Sequence, residues 1–349
     1  MDITPIEVEG WRRIARFVDA PSGLDAIIAV HDDTLGPGCG GTRVRPYADV
    51  DAALDDVKRL SRGMTYKNAL GGIPFGGGKA VIIADPKTDK TPELWRAYGR
   101  AIEHFGGQYF TAEDSGVTED DLRIVAEETE YVAGVAEEGR GGNPSPFTAR
   151  GCWRGVQAAA RARLGKADLS GVSVAILGVG AVGMELARLL RADGAELVVA
   201  DVNEDAVAYA KETYGADVLP AKDLHKADVD VFAPCALGGA VNHDTIDGIK
   251  AKIVAGAANN QLHTPDMDIA LKERGVLYAP DYVINAAGVI SVGLEILGSW
   301  SADEMTARID RIGETLARIF ERAAAEDRPT GEIADQMARE VISNARKAA

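Results

Sequence analysis

Apolar positions change period several times along the chain, and the changes mark its elements. Residues 24–31 (LDAIIAVH) form an apolar, β-branched run that reads as a strand. From Asp49 to about Leu70 the apolar residues Leu54, Val57, Leu60 and Met64 recur at three and four, which predicts a helix. KAVIIAD (79–85) and QYFTA (108–112) read as strands. Thr91-Pro92 and Thr118 each open a helix, the first with proline in its first turn and the second with acids there. After a segment rich in Gly, Pro and Ser, the order becomes helix (151–163), strand (172–177), glycine turn, and helix from about Val182. Strand 196–201, a helix ending near Gly215, and strands 229–234, 252–257 and 275–280 follow. Met305, Ile309, Ile312, Leu316 and Ile319 make the stripe of a long packing helix, opened by the Ser301/Glu304 capping box. Strands alternating with helices predict parallel βαβ units, hence an α/β protein.

Length and composition refine this outline. A chain of 349 residues suggests about two domains. EEGRGGNPSPFTARG (137–151) is the natural break, with the hinge placed at 137–149. Hydrophobic residues at 46% and charged ones at 26% support real cores rather than disorder. With 38 Lys+Arg against 54 Asp+Glu, a net charge of −16 repels nucleic acid and anionic membranes. No stretch has the apolar length of a membrane span, and the first residues lack the apolar run of a secretory signal. Cys39, Cys152 and Cys235 are too far apart for a CxxC pair. No ligand spacing for a metal is visible, so free thiols and a cytoplasmic protein are expected.

Two segments carry chemistry. GVGAVG (178–183) matches GxGxxG between a strand and a helix. Gly178 would permit the turn, Gly180 the approach of a pyrophosphate, and Gly183 close helix–strand packing, with Val179, Ala181 and Val182 completing the loop. Phosphates would rest on the helix N-terminus. Asp201, closing the next strand, would accept the adenosine ribose hydroxyls and repel a 2′-phosphate, which selects NAD over NADP. The second segment is GMTYKNALGGIPFGGGKAVI (63–82), with Lys67 and Lys79. A lysine opening an apolar strand is costly unless used, and burial beside a second cation would suit it to work as a base near neutral pH. None of the five histidines lies in a motif-like setting.

PGCGGTR, GMTYKNALGGIPFGGGKAVI, TAEDSG, GNPSPFTARG, VAGAANNQL and APDYVINAAGVI, in this order, resemble the amino-acid dehydrogenases of glutamate, leucine, phenylalanine and valine, nearest the leucine/phenylalanine branch. The resemblance runs from about residue 24 to 325. It implies reversible, NAD-dependent oxidative deamination of an L-amino acid to a 2-oxo acid and ammonia, by a homo-oligomer. The implied architecture is an N-terminal α/β catalytic and oligomerisation domain (1–136, joined by the terminal helix at about 326–349) and a Rossmann domain (150–325), with a cleft between them. By the same resemblance Lys79 is the catalytic base, Asp114 the proton shuttle, and Lys67 and Asn260 hold the substrate carboxylate. Gly40 and Gly41 let backbone approach the substrate. Met64, Cys39, Ala112, Val289 and Val292 line its pocket, and Thr148, Asn259 and Asn285 lie near the nicotinamide. Cys39 stands where leucine dehydrogenases resemble each other in having leucine, which implies a roomier pocket floor. Ala287 and Ser291 depart from the family's usual glycine and asparagine. The pocket lacks the cation a glutamate enzyme would use, so branched-chain and aromatic substrates are expected. An aromatic-preferring enzyme is the main alternative. A glutamate dehydrogenase, an NADP-linked relative and a non-catalytic NAD sensor stand behind it.

Overall fold

The computed structural model describes residues 1–135, 144–236 and 238–348. The chain divides into two units, one comprising Met1–Gly142, Val289–Ser301 and Ala338–Ala349, the other Asn143–Gly288 and Ala302–Met337. In the first, three antiparallel strands, β1 (Asp2–Pro5), β2 (Arg13–Asp19) and β3 (Leu24–Asp32), lead into β4 (Gly38–Cys39) and β5 (Thr42–Arg45). Then come α1 (Val50–Leu70), β6 (Gly76–Ile83), α2 (Pro92–Glu103), β7 (Tyr109–Phe110) and α3 (Glu119–Val125). The sheet order is β1-β2-β3-β6-β4-β7, with β5 also paired to β6. β6 is therefore central, antiparallel to β3 and parallel to β4 and β5, and it is buried almost throughout. α2 is opened by Thr91, whose hydroxyl accepts the Leu94 N–H, and Thr118 forms a capping box with Asp121 at α3.

The second unit opens with α4 (Ser145–Leu164), then β8 (Ser173–Leu177), α5 (Ala181–Ala192), β9 (Glu196–Ala200), α6 (Glu204–Tyr214) and β10 (Asp217–Val218). It continues with β11 (Val231–Pro234), β12 (Ile253–Val254), α7 (Asp266–Glu273), β13 (Leu277–Tyr278) and α8 (Asp281–Ile284). All six strands are parallel, in the order β10-β9-β8-β11-β12-β13. The order reverses at β8, so the β8–α5 turn lies at the switch point where open α/β sheets bind ligands. After α9 (Ala287–Ile296) come α10 (Ala302–Glu326) and α11 (Thr330–Ala348). The α10 stripe predicted from Met305 to Ile319 is wholly buried.

Four features differ from the sequence expectation. β6 begins at Gly76, so Lys79 sits inside the strand rather than at its start. α4 begins at Ser145, not 151, because Pro146 is tolerated in a first helical turn. Residues 137–143 of the expected hinge lie outside the described residues. Val289–Ser301, expected in the nucleotide-binding domain, group with the first unit, where Gly293 packs on Ile73. Of the terminal segment only Ala338–Ala349 group there, with Ala338 and Ile342 in one apolar cluster with Ala69, Tyr66 and Leu70. Among the described residues no helix is long and apolar enough to cross a membrane.

Candidate active site

The glycines before Lys79 are needed because the protein's own atoms crowd β6. A Cβ on Gly77 would lie 2.0 Å from the Thr65 hydroxyl of α1, and one on Gly78 would lie 2.6 Å from the Tyr109 ring. A Cβ on Gly40 would meet the Gly78 carbonyl oxygen at 2.1 Å and Met64 at 2.9 Å, and one on Gly41 the Glu113 carbonyl oxygen at 2.4 Å. Within the chain itself these two glycines let neighbouring backbone pack closely. Asn68 Nδ2 donates to the carbonyls of Cys39 (3.2 Å) and Gly76 (2.6 Å), tying the last turn of α1 to β4 and β6. Met64 and Lys67, both half-buried and one turn apart, are held in place by that anchor. Beneath Gly40, Thr42, Tyr98, Thr111 and Tyr109 form a buried hydroxyl network, in which Tyr109 donates to the Gly40 carbonyl at 2.8 Å.

Lys79 is 6% exposed, and its Nζ lies 2.7 Å from Asp114 Oδ2. The group that meets Lys79 directly is therefore a carboxylate, and a cation, Arg43, lies beyond it. Arg43 of β5 approaches the same oxygen at 3.4 Å, and its other terminal nitrogen lies 3.1 Å from Asp56 of α1. Asp56 also accepts from Tyr47 (2.8 Å) and Arg59 (2.6 Å). Burial drives the Asp114 carboxyl towards its neutral form, but Lys79 and Arg43 overcome it and hold the group below the usual range. Cys39 is fully buried, and burial pushes its thiol up to about 12 against the opposing charge of Lys79. Ala112 is buried beyond β7, and its carbonyl accepts the Thr42 N–H at 2.9 Å. Val289 and Val292 are half-buried on α9. Arg43 is the member that sequence reasoning did not single out. The strand Thr42–Arg45 (TRVR) is too polar for a cation to stand out in it, unlike the apolar run that marked Lys79.

In the second unit Gly178 turns with φ +96°, a conformation that favours glycine. A Cβ on Gly183 would sit 1.9 Å from the Gly178 carbonyl oxygen. A Cβ on Gly180 would meet nothing within 4 Å, so the loop is open there. No side chain caps α5, and its first N–H groups, those of Ala181, Val182 and Gly183, have no intrahelical acceptor. Asp201 accepts the Val179 N–H (2.7 Å) and the Asn203 N–H (2.9 Å), which fixes the carboxylate beside the loop. Elsewhere Asn285 Nδ2 donates to Asn259 Oδ1 at 2.8 Å, while Asn260 adopts φ +50°. Buried Gln261, also missed from sequence, donates to the carbonyls of Gly256 and Ala258 and so shapes that turn. Thr148 lies in the first turn of α4. An open glycine cradle, an uncapped helix and an oriented carboxylate fit a dinucleotide pyrophosphate and ribose.

Two family models match the chain. "Glu/Leu/Phe/Val dehydrogenase, dimerisation domain" covers residues 15–131, and "Glutamate/Leucine/Phenylalanine/Valine dehydrogenase" covers 198–349. The chain belongs to this family. It is 46% identical over 344 residues to leucine dehydrogenase from Geobacillus stearothermophilus, covering 98% of this chain and 94% of that one. It is 44% identical to phenylalanine dehydrogenase from Bacillus thermotolerans, over 93% of this chain and 86% of the relative. The crystal structure of L-tryptophan dehydrogenase from Nostoc punctiforme matches with a TM-score of 0.87 and 41% identity, covering 97% of each chain. Membership in the Glu/Leu/Phe/Val dehydrogenase family thus rests on both halves of the sequence and on the fold.

Proposed function

We propose that this protein is an NAD-dependent L-amino-acid dehydrogenase that reversibly converts an apolar amino acid to its 2-oxo acid and ammonia. The observation that carries the reading is Lys79, buried in a central strand and paired with Asp114. A buried cation in a sheet is expensive, and a purely structural position is better filled by an apolar side chain. Relatives named for leucine, phenylalanine and tryptophan support an apolar substrate class. When bound, NAD supplies the acceptor for the hydride leaving the substrate Cα. Gly178 to Gly183 and Asp201 hold it, and the carboxylate selects against a 2′-phosphate. Asn259, Asn285 and Thr148 are assigned to its nicotinamide end. Lys67, with Asn260, binds the substrate carboxylate and fixes its orientation. Lys79 then takes the proton from the attacking water as the imino acid is hydrolysed, and Asp114 moves protons at the amino nitrogen. Cys39, Met64, Ala112, Val289 and Val292 surround the side chain. The unit carrying Lys79 is the catalytic and oligomer-forming domain, in keeping with the dimerisation model over 15–131, and the protein is a homo-oligomer of the cytoplasm.

The test follows NADH absorbance with L-leucine, L-valine, L-phenylalanine and L-glutamate at alkaline pH. Turnover of the apolar substrates is expected, and the leucine-to-phenylalanine ratio reads out the room left by Cys39. Lys79→Ala should abolish turnover while NADH still binds. Equal activity in that variant, or turnover of glutamate alone, overturns the reading.

A further inference from the structure

The charged side chains around Lys79 form a line rather than a pair. Lys79 meets Asp114, Asp114 meets Arg43, Arg43 meets Asp56, and Asp56 meets Arg59, with separations of 2.7, 3.4, 3.1 and 2.6 Å. The signs alternate. The first four side chains are mostly buried and Arg59 is exposed. Arg43 Nε is buried without a hydrogen-bond partner, a cost that an ion pair kept only for stability would avoid by turning to solvent.

We propose that Arg43, oriented by Asp56, is a positioning residue of the reaction: it holds the Asp114 carboxylate against Lys79 and returns it to its ionised form after each proton it carries. The proposal rests on the catalytic reading of Lys79 and Asp114 given above. Three charged groups act on Asp114: Lys79 from β6, Arg43 from β5, and Glu113 beside it in the chain. Only the first two favour the anion. If Lys79 gives up its proton in the cycle, Arg43 is the remaining cation on Asp114. Without Arg43 a carboxyl that has taken a proton from the substrate nitrogen would hold it more tightly and release it to water more slowly. Asp56 acts with the opposite sign. It draws the guanidinium charge towards α1, and Tyr47 and Arg59 in turn compete for Asp56.

The test compares Arg43→Gln, Arg43→Lys, Asp56→Asn and Asp114→Asn in the full-length protein. The readouts are kcat and KM for L-leucine against pH, thermal melting, and 13C-detected titration of the Asp114 carboxyl, which needs no turnover. Arg43→Gln is expected to move the acid limb of kcat and the carboxyl midpoint up by about one pH unit. KM should change less than about threefold, because Arg43 is assigned no substrate contact. Arg43→Lys restores part of the shift. Asp56→Asn moves the limb down or leaves it in place. Loss of structure alone would lower melting in Arg43→Gln and Asp56→Asn and move the midpoint in neither. An Asp114 midpoint unchanged in Arg43→Gln overturns the proposal. An acid limb that persists in Asp114→Asn overturns instead the role of Asp114 on which it rests.

Discussion

Gly180 and Gly183 stand three residues apart in one loop, yet the structure separates what each does. An alanine at 183 places its Cβ 1.9 Å from the Gly178 carbonyl oxygen, where ordinary contacts begin at 3.4 Å. The α5 N-terminus and β8 must therefore part by more than an ångström. Overpacking of this size costs about 3 kcal/mol or more, which at about 2–4 °C per kcal/mol lowers melting by roughly 6–12 °C. An alanine at 180 meets nothing, and the backbone there (φ −69°, ψ −163°) is open to any residue. Its methyl instead occupies the space assigned to the pyrophosphate. Loss of one or two charge-assisted bonds, about 1.5–3 kcal/mol each, predicts at least ~10-fold weaker NADH binding with melting unchanged. The assay is thermal melting without nucleotide, alongside NADH fluorescence titration of both variants. Native NADH affinity in Gly180→Ala, or a loss of melting equal to that of Gly183→Ala, would refute this assignment of the loop.

Two carboxylates should show opposite pH behaviour. Hydrogen bonds from Arg154 and then Arg150 hold Asp310 down to about 2, so its contribution is present above the unfolded value near 3.9 and is lost as pH falls through 2. Asp310→Ala should cost about 1–2 kcal/mol at pH 7, discounted for its partial exposure, and nothing below pH 2, read by denaturant melts. Burial raises Asp268 to about 6, with Glu332 and Asp335 adding repulsion against its backbone bonds at the start of α11. Stability from this group is present below pH 4 and lost as pH rises through 6. Asp268→Asn, whose amide oxygen still accepts the Gly331 N–H, should gain about 2 kcal/mol at pH 8 and nothing at pH 4, and a gain of equal size at both would refute the burial argument.

The sequence was most readable where local chemistry decides structure. Asp49, Thr91 and Thr118 each accept a backbone N–H at the start of a helix, and the stripe from Met305 to Ile319 is buried as its period requires. It was less readable where composition misleads or where partners are distant. Pro, Ser and Gly near residue 145 read as a break, yet proline is compatible with a first helical turn and α4 begins there. β1 is four residues long and fully exposed, so no apolar pattern marks it. Val289–Ser301 group with the first unit because Gly293 admits Ile73, and Glu295 accepts the Gly134 N–H at 2.9 Å. Contacts across such sequence distances leave no periodic trace. For the same reason the contacts of Arg43 were hidden, because Asp56 lies 13 residues beyond it in the chain and Asp114 far beyond that.

These long-range contacts also explain why a run of three glycines precedes the buried lysine. Gly77 lets α1 seat its Thr65 directly on β6, closer than any other residue would permit. That helix carries Asp56 and, three turns later on the same face, Lys67. One rigid element thus presents the far end of the charge line and the residue assigned to the substrate carboxylate, about 16 Å apart along its axis. Asn68 clamps its last turn to β4 and β6, so the helix is fixed in translation as well as in rotation. Lys79, by contrast, is fixed by strand pairing on both sides of β6, where Ala80 next to it pairs with Thr42 and Ile28. The relative placement of Lys67 and Lys79 therefore depends on the α1–β6 contact, which only glycine at position 77 allows. The run of glycines before Lys79 is thus, in the folded chain, the place where α1 and the Tyr109 ring close directly on β6.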